Sequence, residues 1–92
     1  MEPDLIRRRV VVHGRVQGVF FRGSVHERAR AHGVSGWVAN RPDGTLEAVL
    51  EGSRAAVERM VRFCETGPPR ARVERIEVSA EPPEGVSGFA VR

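Results

Sequence analysis

The sequence predicts an α+β domain in which two helices cover one face of an antiparallel sheet. Three observations lead there. Apolar residues alternate with period two in four separate stretches, two stretches with helical spacing interrupt them, and the connections are short and marked by Gly or Pro. The order β-α-β-β-α-β, followed by a short extra C-terminal strand, is that of the split-βαβ or ferredoxin-like sandwich. That arrangement hosts enzymes, RNA binders and metal carriers, so it leaves function open.

Each element has its own local reason. From Ile6 to His13 the residues are strand formers, with Ile6, Arg8, Val10 and Val12 on one face. Gly14 to Phe20 breaks the alternation with two glycines and reads as a loop. From about Arg22 to His32 the composition turns helical; Phe21, Val25 and Ala29 recur at i, i+4 and Gly33 provides the stop. Val34 to Asn40 forms a second strand, and Arg41-Pro42-Asp43-Gly44 a tight type I turn, with Pro at i+1. Thr45 to Glu51 returns as a third strand, with Leu46, Ala48 and Leu50 on one face. Ser53 then caps a second helix whose apolar stripe is Val57, Met60, Val61 and Cys64. Gly67-Pro68-Pro69 ends that helix. A fourth strand covers about Arg72 to Ala80, with Ile76 and Val78 on one face; Val73 has the opposite parity, which requires a strand start or a bulge near Glu74. Phe89 and Val91 mark the short terminal strand.

Composition narrows the class. The 92 residues allow one compact domain, 1–92, and the 40% hydrophobic content is too high for a disordered chain. No apolar run approaches a membrane span, and Met1-Glu2-Pro3-Asp4 is too polar for a signal segment, so a cytoplasmic location is expected. With one cysteine, Cys64, neither an internal disulfide nor a cysteine metal cluster can form. All 15 basic residues are Arg. Residues 1–30 hold seven of them against three acids, a net +4, while the remainder holds eight against nine, a net −1. This pattern fits a solvated face with an Arg-favouring coding bias, or an anion site near the N-terminus.

The stretch Gly14-Arg15-Val16-Gln17-Gly18-Val19-Phe20-Phe21-Arg22 gives the second reading a shape. It is a glycine-containing strand-to-helix loop that delivers an Arg to the start of a helix. Gly14 and Gly18 permit backbone turns that aim several N–H groups into one concavity, and the helix N-terminus behind them adds partial positive charge. Arg22 would supply a planar, permanently charged fork that matches two phosphate oxygens. Together they could cradle one phosphate-sized anion. Taken alone, the same loop also fits an ordinary connection with Arg22 in solvent.

The loop resembles the acylphosphatase pattern G-x-V-Q-G-V-x-F-R, matched without a break from Gly14 through Arg22. A second pattern of that family follows in order: Gly36-Trp37-Val38-Ala39-Asn40, then Gly44, then Gly52. Leu46 stands where the family more often has Val. The resemblance spans nearly the whole chain. It implies hydrolysis of the carboxyl-phosphate anhydride of a small-molecule acyl phosphate to a carboxylate and inorganic phosphate. It further implies that Arg22 and the backbone N–H groups of Arg15, Val16, Gln17, Gly18, Val19 and Phe20 hold the phosphoryl group, and that Asn40 holds the attacking water. No metal, no cofactor and no covalent intermediate are implied. The chemistry is consistent with this, because an acyl phosphate already carries a good leaving group and positioning with charge stabilisation can suffice. Neither Arg nor Asn is a base at neutral pH, so the water's proton would pass to a substrate phosphate oxygen.

The remaining polar residues fit quieter roles. His13, His26 and His32 lack metal-ligand spacing; His13 adjoins the loop. Gln17 is expected to tie down loop backbone, Trp37 to pack, and Cys64 to be a core thiol. A nucleic-acid-binding module is the alternative function, since RNA-recognition domains share the topology. Such sheets present aromatic residues for base stacking, whereas this chain has one Trp, four Phe and no Tyr. A regulatory acylphosphatase-like domain of a larger carbamoyl-transferring enzyme is a third reading, which the chain length disfavours. The expected protein is a monomer without nucleic-acid or membrane partners.

Overall fold

The computed structural model describes residues 4–92; Met1–Pro3, most of the polar segment weighed above against a signal sequence, lie outside them. The elements are β1 (Leu5–Arg15), α1 (Phe21–His32), β2 (Ser35–Asn40), β3 (Leu46–Ser53), α2 (Arg54–Thr66), β4 (Arg72–Glu81) and β5 (Phe89–Val91). They form one five-stranded sheet in the order β4-β1-β3-β2-β5. Its core-facing side carries Val10, Val12, Leu46 and Leu50, packed against Val25 of α1 and Met60 of α2. Alternation in the strands and i, i+4 spacing in the helices therefore meet in one apolar layer. Among the described residues no helix is long and apolar enough to cross a membrane.

The expected helix and turn signals operate. Ser53 accepts the N–H of Ala56 at 3.2 Å and caps α2. Gly44 donates its N–H to the Arg41 carbonyl at 3.1 Å, closing the turn between β2 and β3. Helix α1 begins one residue earlier than its composition suggests. Phe21 is 1% exposed and packs edge-on against Phe63 of α2, with ring centroids 6.0 Å apart, so burial of this ring fixes where the helix starts.

Strand β1 extends two residues beyond His13, into a segment whose glycine suggested a loop. The reason lies in β4. His13 pairs with Arg75 and Gly14 with Val73, so Glu74 is the extra residue of a bulge, which resolves the parity conflict at Val73. Gly14 (φ 125°) lies against that bulge, where a Cβ would stand 2.2 Å from the Arg72 carbonyl oxygen. No other residue type fits.

The sheet is mixed and not wholly antiparallel, because β5 runs parallel to β2. Glu81, Arg7, Glu51 and Ser35 form one row across the sheet. The chain leaves β4 at this row, crosses to the far edge through residues 82–88, and enters β5 at the end where β2 starts. Continuing upward from there makes the pair parallel. Glu51 anchors the crossing, its carboxylate accepting the N–H groups of Glu84 and Gly85 at 2.8 Å each.

Candidate active site

The loop from Val16 to Phe20 is short and pinned at both ends. Val16 and Val19 are buried in the core, which leaves the backbone between them to arch outward. Gln17 ties the arch to the β2–β3 turn: its Nε2 donates to the Arg41 carbonyl at 2.8 Å and to the Thr45 carbonyl at 3.0 Å. Gly18 supplies a left-handed turn at φ 73°. Among the described residues, the N–H groups of Val16, Gln17, Gly18, Val19 and Phe20 donate to no other group of the chain. The first turn of α1 begins beside them, carries no acidic residue, and has the unpartnered N–H groups of any helix start. Arg15, by contrast, is still in β1 and pairs with Arg72, ahead of the arch.

A cavity of about 260 Å³ opens over this arch. Val16, Gly18, Phe20 and Arg22 line one side, Asn40 at the end of β2 lines another, and Val91 of β5 completes the rim. The structure thus joins two residues that lie eighteen positions apart in sequence. Asn40 has the parity of Val38 and points toward the helix side of the sheet. Its Oδ1 is the one buried side-chain polar atom without a partner among the described residues. A buried carboxamide oxygen left in that state is an acceptor waiting for a donor. Arg22 is exposed and makes one hydrogen bond, from Nη1 to the Arg92 carbonyl at 3.3 Å, which leaves the rest of its fork free for an anion.

The other candidates fall elsewhere. His13 lies on the sheet face away from the helices, its Nε2 2.5 Å from Glu77. Trp37 is on that same face, with the guanidinium carbons of Arg92 and Arg9 at 4.5 Å and 5.7 Å from its ring centroid. Burial pushes the Cys64 thiol up to about 12, with the Glu65 charge adding to the shift, so it is an inert core thiol. Among the described residues no three His, Cys, Asp or Glu side chains converge on a point that could hold a metal ion. Sequence reasoning missed Val91 as a rim residue. The alternation marks β5 as a strand, but nothing local says that it lies beside β2.

A profile of acylphosphatases matches residues 8–91. The chain belongs to the acylphosphatase family. It is 61% identical over 87 residues to the acylphosphatase of Rubrobacter xylanophilus, covering 94% of this chain and 79% of that relative. The acylphosphatase of Natronomonas pharaonis is 52% identical over 89 residues, 97% of either chain. Among solved structures, an acylphosphatase from Coxiella burnetii superposes with a TM-score of 0.92 at 36% identity, over 97% of this chain and 94% of that one. Both acylphosphatase patterns, the loop ending at Arg22 and the strand ending at Asn40, therefore border one cavity in this member of the family.

Proposed function

We propose that the chain is an acylphosphatase, cleaving the carboxyl-phosphate anhydride of small acyl phosphates by direct in-line attack of water. We further propose that residues 1–92 act as one acylphosphatase-like domain, a cytoplasmic monomer that needs no metal or cofactor. The observation that carries this reading is the shared cavity of Arg22 and Asn40, beside N–H groups that have no partner among the described residues.

The phosphoryl group sits in the arch. The N–H groups of Arg15 through Phe20 are assigned to its oxygens, with those from Val16 onward free of other bonds among the described residues. Arg22 closes over two phosphoryl oxygens as a bidentate fork and balances the charge that spreads over them in a loose transition state. Asn40 accepts an O–H hydrogen bond from the water through Oδ1, which turns an oxygen lone pair toward phosphorus. The water attacks phosphorus as the bond to the acyl oxygen breaks. The carboxylate departs with that electron pair, and the water's proton passes to a phosphate oxygen. No side chain at the site needs to donate a proton, because the carboxylate leaves unprotonated, and none needs to accept one, because a phosphate oxygen takes the proton of the water.

The nucleic-acid alternative is not favoured, because two arginines of the open sheet face, Arg7 and Arg9, are already engaged by carboxylates. Arg7 contacts Glu51 and Glu81 at 3.1 Å each, and Arg9 contacts Glu81 at 2.7 Å and also Glu47. The test of the hydrolase reading is an assay of acetyl phosphate and benzoyl phosphate in excess chelator, beside an ordinary phosphate monoester. Turnover of both acyl phosphates that survives the chelator, with little action on the monoester, is expected; loss of turnover in chelator would overturn the metal-independent mechanism.

A further inference from the structure

Strand β5 reaches the site along a weakly held path. The crossing from Pro82 to Gly88 is exposed at every residue, so apolar burial does not fix its course. Among the described residues it makes three hydrogen bonds to the rest of the chain. The Glu84 and Gly85 N–H groups donate to the Glu51 carboxylate at 2.8 Å each, and the Gly88 carbonyl accepts the Gly36 N–H at 3.0 Å. The strand that follows has three residues, pairs with β2 alone, and buries only part of Phe89. An edge strand this short has little stability of its own.

The far end of β5 touches the arginine of the cradle. The Arg92 N–H donates to the Val38 carbonyl at 2.8 Å. The Arg92 carbonyl accepts Arg22 Nη1 at 3.3 Å, the one hydrogen bond that Arg22 makes among the described residues. The place of the Arg22 fork therefore depends on β5, and that of β5 on where Glu51 holds the crossing. Glu51 is 2% exposed, and a buried carboxylate is an expensive way to join strands. Apolar side chains could fill the same space, but they could not accept two backbone N–H groups. We propose that Glu51 is a remote positioning residue of the phosphate site: it latches the 82–88 crossing, which sets β5 and so holds Arg22 in place beside the arch. The proposal rests on the phosphoryl-holding role of Arg22 argued above. An arginine already in place loses less freedom on binding than a loose one, so releasing the latch should weaken phosphate binding about three- to tenfold.

The experiment breaks the latch at its exposed end. Glu84→Pro removes the N–H that donates to Glu51, while Glu84→Ala keeps it and removes the same carboxylate. The readouts are the Kd of inorganic phosphate by calorimetry, kcat and KM for acetyl phosphate, and the urea midpoint. Glu84→Pro is expected to raise Kd and KM about three- to tenfold in fully folded protein, and Glu84→Ala to leave both at their original values. A second variant, Arg7→Met with Glu51→Leu, removes the latch and its buried cation together, which keeps the protein folded. It is expected to raise Kd by the same factor. A merely structural role would lower kcat through loss of folded protein and leave Kd and KM unmoved. An unchanged Kd in Glu84→Pro, or in the folded double variant, would overturn the latch. Failure of the unsubstituted protein to hydrolyse acetyl phosphate, with the phosphate affinities shifting as expected, would instead overturn the hydrolase reading and leave the latch standing.

Discussion

Arg22 differs from other arginines of the chain in what surrounds it. Arg7, Arg9 and Arg54 face carboxylates, whereas Arg22 donates to one backbone carbonyl beside a row of free N–H groups. A fork of this kind owes its effect to geometry as well as charge. Arg22→Lys is therefore expected to lower kcat/KM for acetyl phosphate by about 10²-fold or more, within tenfold of the loss in Arg22→Ala. Substantial retained activity in the Lys variant would refute the bidentate role. Asn40→Ala should lower kcat by about 10²-fold while changing the inhibition constant of phosphate far less, as the proposed role in orienting water and not the phosphoryl group requires. Parallel loss of both would remove Asn40 from that task. Both residues were legible in the sequence as candidates because each closes a contiguous motif. That they share one cavity was not, since the register of β2 against β3 sets where Asn40 points.

The arch works only if the elements that end at it are fixed. β1 delivers it, the buried Phe21 starts α1 behind it, and Gln17 fastens it to the β2–β3 turn. The bulge opposite Gly14 sets the direction in which β1 releases the chain. Gly14→Ala should be among the most damaging single changes on this strand, because a Cβ meets the Arg72 carbonyl at 2.2 Å and the φ of 125° disfavours it as well. A loss of roughly 1–3 kcal/mol in urea unfolding is expected, accompanied by reduced turnover from a displaced arch; near-native stability would show that β4 yields at the bulge without cost. The parity conflict at Val73 was visible in sequence and left a strand start or a bulge open; the pairing of β1 with β4 decides for the bulge. The two-residue extension of β1 was not, because glycine breaks local patterns even where a partner strand continues to pair.

Across the whole molecule, the sheet face opposite the helices is closed by a charge network and not by apolar packing. Arg7 and Glu51 are both buried, and the Glu51 carboxylate also holds the loop that carries the chain to β5 and Val91. Burial alone would raise the Glu51 carboxyl. The Glu84 N–H, the Arg7 guanidinium and the Gly85 N–H together outweigh it and hold the group below its ordinary 4.5. Arg9 and Arg7 hold Glu81 below its ordinary value in the same way. Carboxyls depressed in the folded state stabilise the protein above the unfolded range near 4.5, and that stability is lost as pH falls through the folded values. The urea midpoint should thus be steady near neutrality and fall progressively below about pH 4.5. Arg7→Met leaves Glu51 buried without its cation and is expected to cost roughly 3–5 kcal/mol at pH 7, with a smaller deficit in acid where Glu51 can protonate. A deficit that did not shrink in acid would mean that Arg7 acts through packing. Glu51 was read from sequence only as the end of a strand, because an acid buried among partners 33 to 44 positions away leaves no local signal.

By itself the sequence determined the elements and their order, a parity break near Glu74, a glycine-containing loop between β1 and α1, and two motif residues as site candidates. Each of these depends on backbone preference, side-chain parity or a contiguous motif, all of which act over a few positions. The tertiary structure decided the rest: the parallel pairing of β5, the burial of Arg7 and Glu51, the tie from Gln17 to the neighbouring turn, and the rim of Phe20 and Val91. These depend on which distant segments meet when two helices and a sheet share one apolar layer, and on where the chain must cross to reach the free edge. The long-range contacts set the cavity's shape, and local preference supplies the groups that line it.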